Sequence, residues 1–396
     1  MTNSCFRTEV EKIKGYLVQL RREFHRCPEL SMQEFETCKR IKTALLECGI
    51  EPERDFSEPA VVAVLRGTAG SGPTIALRAD MDALPIVEKS KASYTSQNPG
   101  IMHACGHDAH MAMVIGAGIM LNEHLYQMCG NVKLIFQPSE EVYPGGAYSL
   151  IEQGVLENPH VDAILAHHVQ SHIEVGRIGI KTGNFMAATK EFTLSVKGKS
   201  GHAAHPQRGI DSIVVAAQII LALQTIVSRL TTPTTPIVLS VCTISGGTKS
   251  NVLAGEVTMC GTVRTLDDSL GEQVRAQMEQ IVRGITQSCG ASYSLKFDGG
   301  YPAVRNDSSL AMLVKQSAAK ILGQKTVFEI QEPSMGGEDF AWYQHHRPGV
   351  ITNLGCGNTV KGIVAPIHNE HFDIDEDCIA YGAAVMAQVA WDYIDP

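Results

Sequence analysis

The sequence predicts an α/β protein whose mixed, mainly parallel sheet is flanked by helices and interrupted by an inserted ferredoxin-like α+β domain. Three observations predict it. Short apolar runs alternate with helical periods through the first half of the chain. Near Gly183 the pattern changes to strand, helix, strand, strand, helix, strand, which is the ferredoxin-like order. Helical periods then resume and run to the C-terminus. At 396 residues the chain exceeds one typical domain. The expected division is a discontinuous first domain, 1–183 and 298–396, and an insert, 184–297.

The elements follow in order. Val10, Ile13, Leu17 and Leu20 recur at helical spacing, Pro28 and Glu29 break that helix, and a second helix runs to about Leu46, stopped by Gly49. Val61 to Leu65, Thr74 to Leu77, Asn131 to Phe136 and Asp162 to Ala166 read as strands. Ala109 to Leu121 and Ala147 to Gln153 read as helices between them. In the insert, Glu191 to Lys197 alternates as a half-buried strand does. A helix from Asp211 to Leu230, strands Ile237 to Ile244 and Val257 to Arg264, a helix from Gly271 to Gly284 and a strand Tyr293 to Phe297 complete it. Helices Ser308 to Leu322 and Ile379 to Tyr393 return to the first domain.

Composition narrows the partners. With 44% hydrophobic and 19% charged residues the chain can build a core. A formal net charge of -9 without long runs of one sign argues against nucleic acid or an anionic membrane surface. The 11 cysteines show neither C-x-x-C pairs nor a disulfide framework, which points to free thiols in a reducing compartment. The charged N-terminal stretch, MTNSCFRTEVEKIKGYLVQLRREFH, is helical in pattern and is not a signal peptide. No apolar run is expected to approach membrane-spanning length. A soluble, cytoplasmic protein is expected.

Four clusters carry chemistry. MHACGHDAH, residues 102–110, brings Cys105 and His107 two apart, so an extended strand end would project both to one side. Thiolate and imidazole suit a borderline divalent metal, and Asp108 is placed to orient a ligand imidazole. FQPSEE puts Glu140 and Glu141 after an apolar strand, where open α/β sheets gather their sites. Adjacent carboxylates repel unless a metal takes one, which leaves the other as a base. AHHV places His167 and His168 on opposite sides of a strand, so one of them is the candidate ligand. APIHNEHF offers His368 or His371. Each cluster alone also fits a bland reading, a histidine-rich loop, a solvated acidic turn or a structural histidine; four together at successive strand ends do not arise easily by chance. Other polar groups are His202 in GKSGHAAHP, Asn251 in GGTKSNVL, and Arg264, suited to clamp a carboxylate bidentately or to make a surface ion pair. Asp80 and Asp82 of RADMDALP face one way and are expected to support the metal loop or to cap a turn. Asp339 of SMGGEDF is expected to hold a helix N-terminus.

In this order RADMDALP, MHACGHDAHM, FQPSEE, GKSGHAAHP, NVL, SMGGEDF and PIHNEHF resemble the aminoacylase-like metallopeptidases. The nearest branch is the N-acyl-amino-acid amidohydrolases, with hippurate hydrolase, thermostable carboxypeptidases and plant indole-acetyl-amino-acid hydrolases. The resemblance covers nearly the whole chain. It implies a catalytic domain with two divalent transition-metal ions per subunit (manganese, zinc, cobalt or nickel) and an inserted dimerisation or lid domain. It implies Cys105, His107, Glu141, His168 and His368 as ligands, with Cys105 bridging, His107 and His168 on one metal, and Glu141 and His368 on the other. Glu140 would be the general base. His202 would stabilise the tetrahedral intermediate in the partner subunit's site, and Asn251 and Arg264 would bind substrate. The implied reaction is hydrolysis of a small N-acyl amino acid by a homodimer or higher homo-oligomer. The alternatives are a dipeptidase or carboxypeptidase of the same fold, or a catalytically silent metal-binding homologue. Two departures stand out. Ser139 replaces the usual alanine, which is expected to be harmless. Gln207 follows Pro206 where a histidine is common, which bears on specificity and not on the reaction.

Overall fold

The structure, a computed structural model, describes residues 6–394. The outermost residues of the expected first domain, 1–5 and 395–396, lie outside the described residues, as does the start of the charged N-terminal stretch. The chain forms two compact units. One comprises the residues up to Gly183, Arg305–Glu332 and those from Asp339; the other comprises Asn184–Val304 and Pro333–Glu338.

The first unit is built on a seven-stranded mixed sheet. Its order is Val61–Arg66, Cys129–Gln137, Gly70–Asp80, Ala163–Glu174, Gly349–Gly357, Ile178–Ile180, Val327–Glu329. The four strands from Cys129–Gln137 to Gly349–Gly357 are mutually parallel, whereas Val61–Arg66 pairs antiparallel with Cys129–Gln137 and Ile178–Ile180 pairs antiparallel with Gly349–Gly357 and parallel with Val327–Glu329. Periodicity predicts no strand at Gly349–Gly357, yet this segment pairs along most of Ala163–Glu174.

Helix Phe6–Arg26 buries Val10, Leu17 and Leu20 of the stripe that helical spacing predicts, together with Phe6 and Phe24, while Ile13 is half-buried. Helix His107–Asn122 has almost no polar face and is buried along nearly its whole length. It packs against Phe6–Arg26 and Asp377–Ile394. A Cβ at Gly116 would lie 2.6 Å from Leu17 Cδ1 and 3.0 Å from Ala383 Cβ, so glycine lets three helices approach closely.

The second unit carries a four-stranded antiparallel sheet in the order Ser292–Asp298, Ala188–Lys197, Glu256–Thr265, Ile237–Gly246. Helices Ser212–Thr225 and Asp268–Ser288 share a core with it, built on Phe192, Leu194, Val196, Val257, Met259 and Val263. Asp211 and Asp267 cap these helices by accepting backbone N–H groups. This is the ferredoxin-like arrangement. One expectation fails here: Ser212–Leu230, 19 residues, is long and apolar enough by length and composition to cross a membrane. Its exposed face mixes Ile213, Val214 and Leu221 with the polar Gln218, Gln224, Ser228 and Arg229.

Candidate metal centre

Helix His107–Asn122 begins directly under the sheet's C-terminal edge. Gly106 opens it at φ +89°, and a Cβ there would lie 2.3 Å from Val169 Cγ2. Cys105 and His107 therefore do not project from an extended strand end. A left-handed glycine turns the chain between them, and His107 is the first helical residue. Both still meet at one place.

His168 lies beyond Ala166, the last residue of its strand to pair with Gly70–Asp80. Its Nε2 is 3.4 Å from Cys105 Sγ. His368 Nε2 reaches the same sulfur from the other side at 3.3 Å, and stands 3.3 Å from Glu141 Oε1. His107 Nε2 lies 4.0 Å from that carboxylate oxygen. Cys105 thus belongs to two sets of converging donors, one with His107 and His168, one with Glu141 and His368; Glu140 groups with His107 and Glu141. Strand alternation separates the two adjacent histidines: His167 instead bonds Thr352 at 2.7 Å. His371 is turned out and exposed, with Nδ1 at 3.0 Å from the Lys89 carbonyl.

The donors are set up as ligands. His107 Nδ1 donates to the Asp82 carbonyl at 2.8 Å, and His168 Nδ1 to the Val169 carbonyl at 2.9 Å. With a cation bound, each ring would turn the lone pair of its Nε2 into the site. His107 Nε2 and Glu141 Oε1 are buried without a hydrogen-bond partner. Buried polar atoms of this kind call for a cation. The electrostatics agree. Burial and the charges of Glu141, Glu140 and Asp80 push the Cys105 thiol well above its ordinary range. Burial alone would lower His107, but Asp80 and Asp82 lift it to about 10. The site holds more negative charge than the protein itself balances, and a thiolate, imidazoles and carboxylates suit a transition metal.

Positioning groups complete the site. Asp82 accepts the backbone N–H groups of Glu140 at 3.1 Å and Glu141 at 3.0 Å. Asp80 accepts His110 Nδ1–H at 2.6 Å and Arg78 Nη1–H at 2.6 Å. His110 Nε2 accepts the Val169 N–H at 3.0 Å, which fixes its tautomer and ties the helix to the strand of His168. Burial lowers His110 to about 4, so the ring is neutral. Asp339 accepts from Arg78 at 2.8 Å, from Gln137 at 2.7 Å, and from Ala147 N–H in the first turn of Gly146–Glu152 at 3.1 Å. Asp108 does not orient a ligand imidazole. It accepts from Arg21 and His25, each at 2.7 Å, because neighbours on a helix point about 100° apart. His110, Glu34 and Arg21 were not singled out by sequence patterning; their only signal is polarity inside otherwise apolar or helical stretches.

In the second unit His202 and Asn251 come together. His202 pairs with Val252 in a short ladder, and the Asn251 carbonyl accepts the Ala203 N–H at 3.0 Å. Arg264 stands elsewhere, near the far end of Glu256–Thr265, and its side chain has no hydrogen-bond or ion-pair partner among the described residues.

Residues 76–392 match the family model described as peptidase family M20/M25/M40. N-acetyl-L-cysteine deacetylase of Bacillus subtilis is 40% identical over 97% of this chain and 89% of its own. Thermostable carboxypeptidase 2 of Saccharolobus solfataricus is 37% identical over 97% of both chains. Among solved structures, Bacillus subtilis YXEP protein, described as a dinuclear metal binding peptidase, superposes with a TM-score of 0.84 at 34% identity, covering 97% of this chain and 99% of that one.

Proposed function

The chain belongs to peptidase family M20/M25/M40 and is a metal-dependent amide hydrolase, and from that premise we propose that it cleaves small N-acyl amino acids with two divalent transition-metal ions per subunit. The observation that carries the reading is the pair of donor sets that share Cys105, with Glu140 beside them. His107 and His168 would hold one ion, Glu141 and His368 the other, and the Cys105 thiolate would serve both. Bound there, such ions lower the pKa of water toward neutrality and polarise the amide carbonyl.

The residues do the rest. Glu140, buried beside the ligands and held through its backbone N–H by Asp82, takes the proton of the attacking water and returns it to the leaving nitrogen. His202 stabilises the oxyanion, and Asn251 and Arg264 bind substrate. Arg264, unpaired, is free to take the substrate carboxylate as a bidentate partner.

The second unit supports a dimer. Gly198 N–H bonds the Gly255 carbonyl, which fixes the His202 hairpin at the Glu256 end of strand Glu256–Thr265. Arg264 lies eight residues along that strand, roughly 26 Å away at ~3.3 Å per residue. One N-acyl amino acid is far too short to touch both within a subunit. His202 and Asn251 would therefore serve the partner subunit's site and Arg264 its own. The surface for pairing is at hand. Ile213, Val214 and Leu221 are exposed on helix Ser212–Thr225, and Ile237–Gly246 is a sheet edge with Ile244 exposed. We place the chain in the cytoplasm, where reducing conditions keep Cys105 a free thiol.

The test is hydrolysis of N-acetyl and N-benzoyl amino acids, beside dipeptides, by metal-stripped protein with and without added manganese, zinc, cobalt or nickel. Amide cleavage restored by metal is expected, with acyl amino acids preferred. The carboxypeptidase-like relative supports the rival substrate class; preference for dipeptides would establish that class instead. Glu140→Gln should keep its metal and lose roughly 10²–10⁴-fold in kcat. Retained turnover would refute its role as base.

A further inference from the structure

The turn that carries the two glutamates has an unusual shape for its residues. Ser139 adopts φ +55°, a left-handed conformation that favours glycine, and it is buried. Its hydroxyl makes one long contact, 3.4 Å to the Val142 carbonyl. The conformation is held from beneath. Three successive backbone N–H groups donate to two carboxyl groups: Ser139 to Glu34 Oε1 at 2.8 Å, Glu140 to Asp82 Oδ1 at 3.1 Å, and Glu141 to Asp82 Oδ2 at 3.0 Å. Ser31 Oγ–H donates to Asp82 at 2.6 Å and ties the two supports together.

Glu34 occupies the N-cap position of helix Phe35–Glu47, where a carboxylate ordinarily caps the helix. It does not. Glu29 takes that role, accepting the N–H groups of Glu36 at 3.2 Å and Thr37 at 2.8 Å. The Glu34 side chain is turned inward instead, fully buried, with Oε2 lacking any partner. Burying an unsatisfied carboxyl oxygen weakens a fold. A residue used only for stability would not be arranged in this way.

We infer that Glu34 is a positioning residue for catalysis: its carboxyl oxygen holds the Ser139 N–H, and so fixes the turn that aims Glu140 at the reacting water and Glu141 at the metal. The inference rests on the role given to Glu140 under the proposed function. Burial first, and then the charge of Asp82, push the Glu34 carboxyl up to about 7. A glutamine therefore mimics it closely, keeping the acceptor and the shape.

The experiment compares Glu34→Gln, which keeps the carbonyl acceptor, with Glu34→Met, which fills similar space without one. Metal-saturated enzyme is assayed for kcat and KM on an N-acyl amino acid, with metal content and unfolding measured alongside. The Met variant is expected to hold its metal, keep KM, and lose roughly 10–100-fold in kcat, the cost of a slightly misplaced group. The Gln variant is expected to restore kcat. Wild-type kcat in the Met variant overturns the inference, and so does a Gln variant as slow as Met. Should the Met variant fail to fold, Glu34→Asp replaces it: a fall in kcat at constant KM supports positioning, and wild-type kcat overturns it. Glu140→Gln is assayed beside them. If it remains active, the assignment of the base fails and this inference with it. If it is dead while Glu34→Met runs at wild-type rate, only the inference about Glu34 fails.

Discussion

Helix His107–Asn122 of the first unit and helix Ser212–Thr225 of the second are both apolar around most of their circumference, yet only the first is buried on every side. The inner helix packs against two other helices and the sheet, down to glycines that admit no Cβ. The outer helix buries Val215, Ala216, Ile219 and Leu223 on its sheet and leaves Ile213, Val214 and Leu221 bare. The same composition thus serves two purposes. Full burial locks side-chain rotamers, which suits a helix that begins with a proposed metal ligand. An apolar face left in water marks a surface that another molecule covers.

The largest expected effect is at the inner helix's first turn. Asp108, Arg21 and His25 are all buried there. Asp108→Ala should lower stability by about 3–5 kcal/mol, because it leaves a buried guanidinium without its closest partner. Urea unfolding measures it, and a loss under about 1 kcal/mol would show that the ion pair does not anchor the helix. A pH signature goes with it. Burial would raise the Asp108 carboxyl, but Arg21 and His25 hold it well below its ordinary value. The unfolded chain then binds the proton first, near pH ~3.9, so this contribution is present above that pH and is lost as pH falls further. Asp108→Asn should flatten the acid limb of the stability curve; an unchanged limb would assign acid sensitivity to other carboxylates.

The second effect is smaller and tests closeness of packing. Gly116→Val places a branched side chain where a Cβ already meets Leu17 and Ala383. Glycine is a poor helix former, so replacing it gains up to ~1 kcal/mol of propensity. Overpacking costs ~1–3 kcal/mol, and the Ala383 Cβ cannot swing away as the end of Leu17 can. Net destabilisation is expected in thermal unfolding. A stabilised variant would mean that the inner helix is less tightly enclosed than its glycines indicate.

How legible these regions are in sequence follows from the distance over which their interactions act. The strands Val61–Arg66 and Cys129–Gln137 and the ferredoxin-like order are local patterns, and they read directly. That the five ligand candidates converge is legible too, since each lies at or beside the end of an apolar run. Gly349–Gly357 did not, although it lies deep in the sheet. Its glycines break any alternation, and Gly355 is needed only because a Cβ would meet the Glu174 carbonyl oxygen at 2.1 Å. Asp108 misleads because adjacency to His107 along the chain becomes separation around a helix. Glu34 and Arg21 act on residues 105 and 87 positions away, and no short motif contains both partners. The membrane-length run in Ser212–Leu230 is hidden by its setting between Asp211 and TTPTTP, which frame it as an ordinary surface helix.

The smallest expected change in stability belongs to the outer helix, and it carries the largest consequence for assembly. Leu221 is 73% exposed, and Val214, seven residues before it, lies on the same face. Leu221→Glu should alter the stability of the subunit by no more than ~0.5 kcal/mol, as surface changes usually do. A charge placed in this apolar face should instead split the proposed dimer, which sedimentation reads directly. If His202 serves the partner's site, activity should fall with the dimer while metal content stays intact. Mixing two inactive variants sharpens this. On the proposed roles, Glu140→Gln and His202→Ala should each disable every site in their own homodimer. A mixed dimer joins the intact Glu140 of one subunit to the intact His202 of the other, so measurable activity should return, and Leu221→Glu in both should abolish it. If mixing restores nothing although mixed dimers form, His202 works within its own subunit. The roughly 26 Å between its hairpin and Arg264 would then exclude one of the two from binding substrate.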